Sequence, residues 1–317
     1  MGIVRYIRNQ FRHDRNVKQA LDRERWLLED IKQAIYLESI QHRIDYLRDK
    51  VLNSNESGVS GERICDSELI VSLTSFGNRI YDVCLAIESI MQGTVKPNRI
   101  VLWLSKEEFK NKALPKTLEK QIRRGLQVEY CEDIRSYKKL IPTLISFPDD
   151  YIITIDDDAV YEYDIVERLA NASHENPRSI CACRMHKVRL CSDMKPKSYM
   201  DWDWCVEEYG NNSALLFPTT GGGTLFPPSC FSKEVLNQAA FMELCPFADD
   251  VWFYAMRLLN DTPIRQVYTG KPEGYFIDLP SRGIEALSIE NDNAADCRND
   301  MYLKAVFDRY NLYGKLL

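Results

Sequence analysis

Residues 151–161 read YIITIDDDAVY: a run of strand formers, Tyr151 to Ile155, ends on Asp156, Asp157 and Asp158, and apolar residues resume at once. Three adjacent carboxylates repel one another, and where apolar sequence closes around them they require a countercharge. A divalent cation is the obvious one. Mg²⁺ and Mn²⁺ suit hard oxygen ligands and bind through one or two carboxylates plus substrate phosphates. A solvated acidic turn is the plainer alternative, weakened by the apolar residues on both sides.

The sequence around this stretch alternates strand and helix patterns. Leu69 to Leu73, Arg99 to Leu104, Leu126 to Tyr130 and Tyr151 to Ile155 read as strands, while Tyr81 to Met91, Pro115 to Gly125 and Tyr137 to Ser146 read as helices. Strands joined by such helices form βαβ units, so the expected fold is α/β, with a mostly parallel sheet flanked by helices. Ligands bind such sheets beyond the carboxyl ends of their strands. The three aspartates stand at one such end.

With 317 residues, 45% hydrophobic and 28% charged, the chain has the composition of a globular protein with an ample core. Its net charge of −6 argues against a general nucleic-acid binder. No apolar run reaches membrane-spanning length and the N-terminus lacks a signal-peptide core, so a cytoplasmic location is expected. The cysteines show irregular spacing and no CxxC pair, which favours reduced core thiols; Cys181 and Cys183 would pack on one side of a strand.

Residues 3–51 contain no proline and no internal glycine, so an N-terminal helical extension is expected over 1–53. Leu37, Ile40, Ile44, Leu47 and Val51 keep the spacing of a coiled-coil seam or a docked helix. Earlier, Ile3, Val4, Ile7 and Phe11 share a face, with Arg5, Arg8, Arg12, Arg15 and Lys18 around it. Such a helix lies on an anionic membrane, packs on its own domain or pairs with a second copy. Polar SNESGVSGE, Ser54 to Glu62, opens a linker spanning 54–66, and the α/β domain follows over 67–317.

A second acidic pair stands in FADDVWFY, where Asp249 and Asp250 open a helix. Capping explains one of them well and two less well. Upstream, TTGGGTLFPP, Thr219 to Pro228, places Gly221, Gly222 and Gly223 before a short strand, which lets backbone approach a ligand. Lys138 and Lys139 read as a solvated pair, with phosphate contact the alternative.

Together LIVSLTSFGNR, ITIDDDAVY, GGGTLFPP and ADDVW resemble, in order and spacing over residues 68–290, the bacterial family 2 glycosyltransferases of the GT-A fold. The resemblance implies a nucleotide-binding half over 67–160, and an acceptor half with a C-terminal helix over 161–317. It implies a nucleotide-sugar donor near Thr74, Ser75, Arg79, Asp156, Asp157, Gly222 and Gly223. Metal would fall to Asp158, with Asp156 near the ribose or the metal. The base would be Asp250 or Asp249, with Trp252 as an apolar wall. The acceptor would be a glycan or a lipid-linked glycan, at the inner face of the cell membrane. Two features depart from relatives: no histidine follows the ADD motif to add a metal ligand, and the Gln-Arg-Trp motif of processive synthases is absent, which implies addition of one sugar. The DDD run also fits the nucleophile motif of haloacid-dehalogenase-type phosphatases, although three strands precede it here. A non-catalytic helical scaffold is the third reading.

Overall fold

The sequence without helix breakers folds as one long helix, α1 (Gly2–Asn53). The computed structural model describes residues 2–210, 212–271, 274–279 and 297–316, and the side chains of residues 2–16 and 20 lie outside that description. The apolar stripe from Ile3 to Phe11 and the arginines around it therefore fall outside the described side chains. Further along α1, Leu21, Leu28, Ile31 and Ile35 are exposed. Among the described residues no helix is long and apolar enough to cross a membrane. The chain divides into two units, residues 1–48 and 49–317.

The second unit is the expected α/β fold. Its helices are α2 (Val83–Met91), α3 (Lys106–Phe109), α4 (Lys116–Ile122), α5 (Ile141–Ser146), α6 (Ile165–Glu175), α7 (Gln238–Leu244), α8 (Asp249–Leu259) and α9 (Arg298–Tyr310). Its strands are β1 (Leu69–Thr74), β2 (Arg99–Ser105), β3 (Leu126–Cys131), β4 (Tyr151–Thr154), β5 (Ala159–Tyr161), β6 (Ile180–Ala182), β7 (Met185–Lys187), β8 (Leu216–Pro218), β9 (Thr224–Phe226), β10 (Ile264–Gln266) and β11 (Phe276–Asp278). Seven of these form a sheet in the order β10-β6-β9-β4-β1-β2-β3. All neighbours in it run parallel except β9, which is antiparallel to both β4 and β6.

Antiparallel β9 positions the site. Its register pairs Thr154 with Thr224, so the chain just before β9 stands beside the end of β4. Residues 219–223 are thereby brought against Asp156, although more than sixty residues separate them in sequence. Cys181 and Cys183 are buried, as packing requires. Residues 54–66 hold no regular element yet are tied down: Gly58 N donates to Arg124 O at 2.8 Å and Ser60 N to Pro97 O at 2.9 Å.

Glu88 on α2 is fully buried, which is tolerable only because every oxygen is engaged. Arg124 grips it through both Nη atoms at 2.8 Å, while Gln121 and Gln92 donate at 2.9 and 2.8 Å. Removing one partner leaves a buried charge unmatched, so Arg124→Met is expected to cost about 3–5 kcal/mol in urea unfolding. The exposed pair Lys32–Glu29 should contribute at most about 1 kcal/mol. A loss below about 1 kcal/mol in Arg124→Met would contradict the assignment.

Candidate active site

Burial of β4 carries the backbone of its terminal aspartates inward, and the chain supplies cations to meet them. Asp157 Oδ2 accepts from Ser75 Oγ at 2.6 Å, and its Oδ1 accepts from Arg79 Nη1 at 3.1 Å. The same Nη1 donates to Asp158 Oδ2 at 2.9 Å. Burial pushes the Asp157 carboxyl up to about 6, with Arg79 and Ser75 opposing the rise. Arg79 is itself buried, and its Nε and Nη2 have no hydrogen-bond partner among the described residues.

Asp156 meets a different cation. Lys139 Nζ donates to its Oδ1 at 2.8 Å and lies 3.3 Å from Asp249 Oδ2. The lysine is thus not solvated; it is 6% exposed, as its neighbour Lys138, paired with Asp133, is also buried. The 3-10 turn Arg135–Lys139 explains this placement. Tyr137 within it is fully buried, stacks on Phe241 at 4.1 Å and donates its hydroxyl to Cys245 O at 2.7 Å. With Leu140 buried on the other side, Lys139 has only an inward path. Burial opposes its charge, but Asp156, Asp249 and Asp250 hold its pKa well above the ordinary lysine value.

The second acidic pair opens α8, where first-turn carboxylates face the positive end of the helix dipole. Asp249 is buried and Asp250 is partly open. Asp250 Oδ1 accepts from Thr220 N at 2.9 Å and Thr220 Oγ1 at 2.6 Å, and the same hydroxyl lies 3.3 Å from Asp249 Oδ2. Burial, and then Asp249, push the Asp250 carboxyl up to about 6, while Lys139 and Thr220 work the other way.

The glycine run fits between these clusters. A Cβ on Gly221 would fall 1.7 Å from Asp156 Oδ2, and Gly223 has φ +87°, so larger residues are excluded by contact and by backbone respectively. Tyr161 locks the approach, donating to Gly221 O at 2.6 Å and accepting from Asp156 N at 2.8 Å.

Both clusters open onto one cavity of about 510 Å³. Thr74, Arg79, Asp156, Asp157, Asp158, Asp249, Asp250 and Gly221 line it; Ser75, Gly222 and Gly223 do not. Trp252 is in the core instead, fully buried with its indole donating to Val235 O at 3.0 Å, so it forms no wall here. The lining also includes His186, Tyr199, Trp204 and Phe217. The ring centroids of His186 and Trp204 are 4.5 Å apart. Burial, and then Arg184, push His186 down to about 3, so this imidazole is neutral at physiological pH. From the sequence, Lys139 reads as solvated or phosphate-contacting and His186, alternating with Arg184, as a residue facing an acceptor; the pairing of Lys139 with two aspartates, the role of Thr220, and Tyr199, Trp204 and Phe217 around His186 escape it, because only the tertiary pairing of distant segments gives them their place.

No three Asp, Glu, His or Cys side chains among the described residues form a group able to hold a metal. The acidic residues therefore do not fit a cage built of protein ligands. Asp158 and Asp156 are each paired with a protein cation, Arg79 and Lys139, so an ion here would have to be shared with ligand oxygens such as those of a phosphate.

No family model and no curated protein matches the chain. Among solved structures it is similar to a CMP:2-keto-3-deoxy-manno-octonic acid synthetase complexed with CTP, with 13% identity, 71% of this chain and 99% of that chain covered, and a TM-score of 0.39. It is also similar to residues 1–349 of TarS from S. aureus, with 12% identity, 77% and 72% coverage, and a TM-score of 0.44.

Proposed function

We propose that this chain is a metal-dependent inverting glycosyltransferase that moves one sugar from a nucleotide-sugar donor to a glycan or lipid-linked glycan in surface-polysaccharide synthesis. One observation carries the reading: two acidic clusters, at the end of β4 and the start of α8, face one cavity at the carboxyl edge of a mostly parallel sheet. Thr74, Ser75, Arg79 and Asp157 form the nucleotide side, where Arg79 is held by Asp157 and Asp158 and lies over the Phe76 ring. Asp158 is assigned to Mn²⁺ or Mg²⁺ together with the donor diphosphate. Asp156, paired with Lys139, is assigned to the ribose side of that ion, and the segment Gly221–Gly223 to the donor sugar. When bound, the cation neutralises charge on the departing diphosphate.

Asp250 is the base. Its Oδ1 is held by Thr220, so Oδ2 is the oxygen that takes the proton of the acceptor hydroxyl as that oxygen attacks the anomeric carbon. Asp249, buried and beside Lys139, orients and charges the pair. Asp250→Asn is expected to retain nucleotide-dependent thermal stabilisation while transfer falls by roughly 10² or more. Because the base must be ionised and its pKa is raised to about 6, kcat/KM should rise with pH through about 6 and then level. Flat activity from pH 5 to 8 would remove Asp250 from the role.

A metal site completed by phosphate binds nucleotide and ion together. Nucleoside diphosphate with Mn²⁺ should raise the melting temperature, Mn²⁺ alone should not, and Asp158→Asn should abolish the joint effect without unfolding the protein. An unchanged joint effect in Asp158→Asn would exclude that carboxylate.

The N-terminal helix is assigned to contact with the inner membrane face, and self-association through residues 1–51 is the alternative. Each basic side chain near an anionic surface contributes about 1 kcal/mol. The full chain should therefore sediment with anionic liposomes at low salt, and deletion of residues 1–18 should abolish this. Equal sedimentation of both forms, with dimerisation lost on deletion, would transfer the helix to self-association.

A further inference from the structure

Lys139 is the point where the two acidic clusters meet. Its ammonium stands between Asp156 Oδ1 at 2.8 Å and Asp249 Oδ2 at 3.3 Å, in a slot that leaves it 6% exposed. The two carboxylates come from the end of β4 and the start of α8, and Tyr137 and Leu140, both fully buried, fix the lysine from either side. One cation thus serves two groups that compete for it.

We propose that Lys139 is a positioning residue that couples the donor side of the cavity to the base side by sharing one ammonium between Asp156 and Asp249. The assignment of those sides rests on the function proposed above; the sharing itself rests on the geometry. A donor-side ligand that attracts the ammonium toward Asp156 leaves Asp249 and Asp250 with less countercharge and a higher affinity for a proton. Conversely, removing the charge at Asp156 releases the ammonium to the acid pair and lowers that affinity.

The groups facing the pair are few enough to read the effect. Lys139 and Tyr137 approach from the turn before α5, Cys245 from the end of α7, Thr220 from the glycine loop, and Asp156 from β4 through the lysine. Arg135, over the Phe247 ring at 3.6 Å, and Arg184, bonded to Thr219 Oγ1 at 2.7 Å, are further cations of the same lining; among the described residues Lys139 is the cation in ion-pair contact with the pair.

The test is a carboxyl titration by NMR of the full chain labelled with ¹³C-aspartate, with Asp249 and Asp250 assigned through their Asn variants. The pair is followed as a unit, because interacting carboxyls titrate with shared midpoints. Lys139→Met should raise the upper midpoint by about one pH unit or more, the scale of losing an opposite charge at contact distance. Asp156→Asn should lower it by about half a unit, through the same coupling with opposite sign. Loss of the Asp156 charge also lowers the midpoint directly, so the sharing is read as the part of the Asp156→Asn shift that disappears when the same substitution is made in Lys139→Met. A larger downward shift with the lysine than without it supports the proposal, and equal shifts in the two backgrounds overturn it. Should Lys139→Met fail to fold, Lys139→Gln supplies the second background. The titration uses no substrate, so a lysine-dependent shift without any glycosyl transfer would sink the functional reading and leave the coupling standing.

Discussion

A buried strand that ends in three carboxylates needs its countercharge from the surrounding chain, and the organisation of this site follows from that need. Arg79, beyond the end of β1, takes Asp157 and Asp158; Lys139, just before α5, takes Asp156. The parallel strands bring both suppliers to the same edge, because Arg79 follows the carboxyl end of β1 and Lys139 follows that of β3, and both strands run in the direction of β4. Without those cations the end of β4 would have to retreat toward solvent. That would open the core beneath Ile152 and Ile153, which are buried to within 1% of full exclusion.

The single antiparallel strand solves a second problem. A parallel partner for β4 at that position would enter from the far edge, whereas β9 begins where β4 ends and lays its leading loop across the acidic cluster. Close approach then selects the residues: glycine at 221 because a carboxylate occupies the space of its Cβ, and threonine at 220 because its hydroxyl and amide both reach Asp250. The loop is therefore a spacer of fixed thickness between the two clusters, and Lys139 bridges them beneath it.

The fold was largely legible because its signals are local. Apolar runs of strand length, proline and glycine at helix ends, and a breaker-free N-terminal stretch set the elements to within a few residues, although the helix expected over 137–146 divides into a 3-10 turn and the shorter α5. The candidate residues were legible as types, since aspartates between apolar residues are unusual. Their partners were not. Lys138 and Lys139 look solvated in a linear reading, because nothing in YKKL shows that Tyr137 is anchored to Cys245, more than a hundred residues away. Trp252 looks like a candidate wall for the converse reason: its neighbours in sequence are the acidic pair, but one helical turn of geometry sends its ring into the core.

The charge of the cavity bears on what can enter it. Its described lining carries seven carboxylates, Glu108, Asp133, Asp156, Asp157, Asp158, Asp249 and Asp250, against five cationic side chains, Arg79, Arg135, Lys138, Lys139 and Arg184, and His186 is neutral. Seven against five leaves two negative charges in excess when all are ionised. Part of that excess is relieved by protons, since Asp157 and Asp250 both rise to about 6. At neutral pH the relief is incomplete, and a bare nucleoside diphosphate would add its own negative charge to a cavity already in excess. For the donor proposed above, that excess favours entry of the diphosphate together with a divalent cation, an effect of the whole lining rather than of any one carboxylate.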